Sequence, residues 1–357
     1  MSRKKKDKAE GAGQRHLLAK ELRWWTPVLM IMLLAALASN ITALIYPFLY
    51  VEIPFNNSDY SIPHTIQLMW SGKLYAIAIL IVAFSLTFPF VKIGMLMCVI
   101  WIPTTRSGRH KILGTLRQLG RWSLLDVFVV LIIMVLSNDQ FFIGAVPKIG
   151  VSLFLAAIFG SMLVCELLEF LNKGEVKGKR DPLEGRHTPV YWAAGWIYWL
   201  MIPMLGLAAV SLYEAIHISY FKITAWFLNK NSYSVFDSVE ALLSSHYYIF
   251  GYTMLGVLIV IPSLRLLSMI ILGFVPMNRI WRRILFRTST ILGSWSMLDV
   301  FTLALLLFLT EGENLIKFQI KEGLYAIIVA VVIYYITVMF GTMALKRVIF
   351  ARGGEGL

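Results

Sequence analysis

Two seven-residue phrases, WSLLDVF at 122 and WSMLDVF at 295, each set a serine and an aspartate three apart at the head of an apolar run. Upstream of each stands a cation in equally apolar surroundings: Lys92 three residues after Pro89 in PFVK, and Arg265 three residues after Pro262 in PSLR. Cation, hydroxyl and carboxylate together could hold a polar ligand or form an ion pair. About ten apolar residues separate each cation from Pro103 or Pro276, which places it about 16 Å from the helix end. A cation at such a depth in a bilayer costs about 2.5–3.5 kcal/mol unless it snorkels, pairs or meets water. A lysine stem of about 6 Å covers less than half of that distance, which favours a polar pathway or a buried pair over snorkelling. Pairing Lys92 with Asp126, and Arg265 with Asp299, is the expectation this raises. The prolines Pro89 and Pro262 each remove a backbone N–H, which frees a carbonyl and kinks the helix beside the cation. A second account needs no function. Ser123 with Asp126, and Ser296 with Asp299, also fit a helix cap, with the acid at the positive end of the dipole. Trp122 and Trp295 then serve as interfacial anchors.

These residues must be positioned by membrane helices. Of the 357 residues, 58% are hydrophobic, and the mean hydropathy is +0.73. Soluble chains are about half apolar. Eight apolar runs can be read, at 26–48, 74–102, 122–138, 149–171, 190–214, 247–275, 295–310 and 323–345. Each is long enough, or nearly so, to cross about 30 Å of hydrocarbon. Twenty-five of the 33 Lys and Arg residues fall in the tails and in the loops after spans two, four and six. Such a bias predicts that both termini are cytoplasmic.

The chain repeats itself at a spacing of 173 residues. Tyr60-Ser61 matches Tyr233-Ser234, and Pro89, Pro103, Arg109, Thr115, Asp126 and Gly150 match Pro262, Pro276, Arg282, Thr288, Asp299 and Gly323. Each copy has four spans, an even number, so the copies share one orientation in a parallel repeat. The expected fold is an all-α polytopic membrane protein of eight transmembrane helices in two four-helix modules. Residues 1–24 form a basic tail, 25–175 the first module, 176–188 a linker, 189–347 the second module and 348–357 a second tail. The longest outer loops, 49–73 and 215–246, suit short strands, and Ser61 and Ser234 suit helix caps there. Asn56-Asn57-Ser58 matches a glycosylation pattern. The tail MSRKKKDKAEGAGQRH lacks the apolar region of a secretory signal.

Composition and motifs exclude several classes. The two cysteines, Cys98 and Cys165, lie in apolar runs, and no C-x-x-C or H-E-x-x-H occurs, so no metal or cofactor is expected. No phosphate-binding G-x-x-x-x-G-K-[ST] is present, and no nucleophile and base converge as in an enzyme. The net charge of +13 sits in loops between spans, as in membrane topology, and not in a nucleic-acid-binding face. Glu166 and Glu169, near the inner end of span four, are expected to face headgroups, and Asn40 and Ser161 to bond between helices.

The doubled W-S-[LM]-L-D-V-F, the P-x-x-[KR] before it and the two four-span modules resemble the paraquat-inducible protein A (PqiA) family over nearly all of the chain after residue 24. The resemblance implies a bacterial inner-membrane protein paired with a periplasmic mammalian-cell-entry (MCE) domain protein. It further implies phospholipid exchange with the tunnel such a partner forms. The positions that match are Lys92, Ser123, Asp126, Arg265, Ser296 and Asp299, a candidate headgroup site. Many members carry zinc ribbons with paired C-x-x-C before each module, and this chain has none. The alternatives are a non-transporting anchor for an MCE protein and a small-solute transporter.

Overall fold

The structure is a computed structural model, and it describes residues 24–52, 58–73, 75–137, 144–172, 196–224, 230–312, 318–320 and 322–350. The basic tail before Trp24, the linker 176–188, the pair Asn56-Asn57 and residues 351–357 lie outside the described residues. Among the described residues, eight helical stretches are long and apolar enough to cross a membrane, with Thr26–Ile45, Val82–Trp101, Gly108–Leu136 and Ile149–Leu171 in the first half. The chain divides into two compact units, one within residues 1–175 and one within 176–357.

In the first unit α1 (Thr26–Ile45) leads to β1 (Leu49–Glu52) and β2 (Ser58–Tyr60), then to the short α2 (Ile62–Ser71). The second span is built from α3 (Tyr75–Ile81), a π-helical turn (Val82–Thr87) and α4 (Phe88–Trp101). A hairpin then enters α5 (Arg106–Trp122), followed by α6 (Leu125–Ser137), β3 (Gly144–Pro147) and α7 (Ile149–Asn172). Helices α1 and α7 pack side by side, α5 lies on α7, and α4 lies against α1 and α5. Leu33, Leu96, Leu113, Leu116, Val164 and Leu168 interlock at their centre.

The second unit repeats this order with α8 (Ile197–His217), β4 (Phe221–Thr224), β5 (Lys230–Tyr233), α9 (Val235–Ser244) and α10 (Tyr248–Met254). There follow a second π turn (Leu255–Val260), α11 (Ile261–Phe274), α12 (Arg279–Trp295), α13 (Leu298–Gly312), β6 (Phe318–Ile320) and α14 (Glu322–Phe350). Each unit closes the end opposite its hairpin with a three-stranded antiparallel sheet, in the orders β2-β1-β3 and β5-β4-β6. The registers correspond: Leu49 faces Tyr60 and Pro147, and Phe221 faces Tyr233 and Ile320. The expected strands in the outer loops are therefore present.

The cause of the π turns can be read in the chain. Proline at 89 has no N–H to give to the carbonyl of Ser85, and its ring crowds that carbonyl. The helix widens by one residue per turn just before it, so that Phe88 N–H reaches Ala83 O, five residues back. Pro262 does the same, with Ile261 N–H on Gly256 O.

The expected capping serines are found. Ser61 accepts from His64 N–H at the head of α2. Ser234 heads α9 in a full capping box, accepting from Asp237 N–H at 3.1 Å while the Asp237 carboxylate accepts from Ser234 N–H at 2.9 Å.

One expectation needs correction. Residues 103–121 and 276–294 are not basic loops. They hold α5 and α12, which climb back along the hairpin and extend the third and seventh spans to Gly108–Leu136 and Ile280–Phe308. Both helices are amphipathic, so a hydropathy window reads their charged faces and misses their buried ones.

Candidate functional site

The doubled phrase marks a break in a helix. In the first unit α5 ends at Trp122, Ser123 closes it in helical conformation, and α6 begins at Leu125. In the second unit Ser296 is extended between α12 and α13. Ser123 and Ser296 are both buried, and neither hydroxyl has a hydrogen-bond partner among the described residues. The capping reading of these serines is thus overturned: an N-cap serine would accept from a backbone N–H. Asp126 and Asp299 do stand in the first turn of their helices, at the positive end of the dipole. Trp122 is half-buried and stacks on Phe84 of the π turn, with ring centroids 5.9 Å apart.

Lys92 is buried on α4 and reaches across to the C-terminal turn of α5. It passes over Gly120, where a Cβ would stand 2.9 Å from the lysine Cε. Arg265 repeats the arrangement on α11: a Cβ on Gly293 would stand 2.5 Å from the guanidinium carbon. The glycines therefore leave the space in which the cations lie. Each cation sits at the carbonyl end of a helix, where the macrodipole favours positive charge. Lys92 Nζ and Arg265 Nε have no hydrogen-bond acceptor among the described residues. Arg265 also lies over the Tyr334 ring, 5.9 Å from its centroid, in cation–π range.

The expected pair of Lys92 with Asp126 is not formed. Lys92 Nζ and Asp126 Oδ2 are both buried without a partner among the described residues, and the carboxylate within electrostatic range of Lys92 is Glu166 on α7. The helix break falls between them: Lys92 lies against Gly120 in the last turn of α5, and Asp126 stands in the first turn of α6. No ion pair of Arg265 with Asp299 is seen among the described residues; Arg265 takes the aromatic face instead. What the fold brings together in each unit is a cation, a glycine and a serine at one helix break, with an aspartate one turn on. Buried polar groups are nearly always hydrogen-bonded, so the first unit's Lys92 Nζ, Ser123 Oγ and Asp126 Oδ2 suit a ligand or water as the missing partner.

Other polar residues are placed differently from expectation. Glu169 does not face headgroups: it is buried and accepts from Arg117 Nη1 at 2.6 Å, with His110 Nδ1 at 3.8 Å. Asn40 is buried with neither amide atom bonded among the described residues. Ser161 bonds within its own helix, to Ile158 O. Sequence reasoning also missed the buried Arg109 and Arg282, whose Nη2 groups donate to Thr104 O and Met277 O and so hold the two hairpin turns shut. Their shared register in the repeat was the available signal, and the doubled Gly120 and Gly293 were legible in the same way.

The family model described as paraquat-inducible protein A matches residues 28–169 and again residues 201–345, well over half of the chain. Both matches enclose a cation, a helix break and an aspartate. Comparison with curated proteins and with solved structures gave no match. The chain is a multi-pass membrane protein that belongs to the paraquat-inducible protein A family and carries the family's module twice.

Proposed function

We propose that this protein is the inner-membrane component of an intermembrane phospholipid transport system, passing lipid to or from a periplasmic MCE-type tunnel and supporting the envelope barrier. The observation that carries this reading is the set of buried polar atoms without protein partners among the described residues, Lys92 Nζ, Ser123 Oγ and Asp126 Oδ2, inside apolar helices. A headgroup supplies the missing partners: its phosphate accepts from the cation and the hydroxyl, and its amine or hydroxyl donates to the carboxylate. The acyl chains stay in the bilayer. The helix break at Ser123 belongs to a pattern in which half-helix ends line a polar site in a membrane. On this reading the basic hairpins are cytoplasmic, the two sheets face the periplasm, and the protein carries lipid without transforming it.

The test is Lys92→Ala and Asp126→Ala, each made alone and assayed for protein level and for the lipid barrier in cells. Normal level with a lost barrier supports the transport site. Lost protein assigns these residues to packing, as for an anchor of an MCE protein. Normal level with an intact barrier removes them from either role.

A further inference from the structure

The two hairpin helices differ on their outward faces. On α12, Ile280, Trp281 and Ile284 are exposed by 71%, 66% and 50%, and Arg283 is exposed beside them. Ile284 and Ile291 continue one stripe up the helix at four- and seven-residue spacing, with Arg287 on the same side. The positions 173 residues earlier on α5 carry Ser107, Gly108 and Lys111 in place of the three apolar residues, and Gln118 in place of Ile291. His110, Lys111, Thr115 and Gln118 of α5 are all exposed. Thus one hairpin offers an apolar stripe flanked by arginine, and the other a polar face.

Ile280 lies two residues past the N-cap Asn278, in the first turn of α12 where the hairpin ends. An apolar stripe that begins there cannot stand in water without cost. At about 25 cal/mol per Å2 the three exposed side chains favour burial, and tryptophan has its preferred place at the headgroup level. Arginine beside the stripe matches negative charge, and its long stem lets the guanidinium rise to the phosphates while its methylenes stay in the apolar layer. We infer that the first two helical turns of α12 are seated in the headgroup layer of the bilayer and bind anionic phospholipid through Arg283 and Arg287, whereas the equivalent face of α5 stays in water. This inference does not rest on the transport reading.

The test uses the full chain in vesicles, with Cys98→Ala and Cys165→Val as background, the latter being the residue the second module carries at the matching position. A bimane label is placed on Ile284→Cys or on Lys111→Cys. The expected result is quenching at 284 by a headgroup-depth nitroxide lipid and at 111 by aqueous iodide. Adding phosphatidylglycerol to phosphatidylcholine vesicles should at least double the lipid quenching at 284. Arg283→Gln with Arg287→Gln should abolish that increase, since each arginine is worth about fivefold in affinity for an anionic surface. Equal iodide access at both positions would overturn the inference. So would an increase that survives both substitutions, or a label at 284 shielded from both quenchers in cell membranes yet open to iodide in purified vesicles, which would show a protein cover.

Discussion

Lys92 lies across Gly120 as Arg265 lies across Gly293, one module on. Each pair joins the two arms of a hairpin at the helix break. The first prediction tests this contact. Replacing glycine by alanine crowds the cation, at about 1–3 kcal/mol, while alanine favours the helix by about 1 kcal/mol over glycine. The two effects nearly offset in stability, but the cation must move. Gly120→Ala should keep its protein level within about twofold and lose barrier function. Gly293→Ala should lower the melting temperature more, because a planar guanidinium held over Tyr334 has less freedom to withdraw than a lysine tip. Thermal unfolding in detergent, run beside a barrier assay, checks the order.

The second prediction separates two kinds of serine. Ser234 caps α9 through Asp237 N–H, so Ser234→Ala should cost about 1 kcal/mol. Ser123 and Ser296 have no such bond among the described residues. Their replacement by alanine should change stability by less than about 0.5 kcal/mol, because removing a buried hydroxyl without a partner costs little. Barrier function should nevertheless fall. Equal destabilisation at Ser123 and Ser234 would restore the capping role to Ser123.

The spans, the doubled module and the outer strands were legible because hydropathy and the 173-residue register are properties of the chain itself. Pro89 and Pro262 gave away the irregular turns for the same reason. The pairing of Lys92 with Asp126 was not legible, since it depended on where the third span begins. A window of apolar residues starts that span at Trp122. The helix starts at Arg106, and the break at Ser123 leaves Lys92 against the last turn of α5 while Asp126 belongs to the first turn of α6. The burial of Glu169 left no trace in the repeat, because its counterpart is Thr342 and that of Arg117 is Thr290.

The exchange of that ion pair for two threonines supplies the third prediction. Arg117 and Glu169 tie α5 to α7 in the first module, with side chains 24% and 4% exposed. The second module replaces both by threonines, which bond back to their own helices at Phe286 O and Val338 O. Removing one partner of a buried pair costs about 3–5 kcal/mol, the charge left behind being the cause. The two single variants should therefore differ. Arg117→Thr leaves a carboxylate that water barely reaches, with the exposed His110 at 3.8 Å, and should approach that cost. Glu169→Thr leaves an arginine that is a quarter exposed and partly solvated, so its loss should be smaller, about 1–2 kcal/mol. The double variant recreates the second module's solution and leaves no buried charge. It should be more stable than either single variant, with a coupling of about 0.5–3 kcal/mol in a double-mutant cycle. Chemical unfolding in detergent measures all four proteins. Additive losses would mean that the ion pair contributes nothing of its own and that the threonines in the second module are an unrelated change.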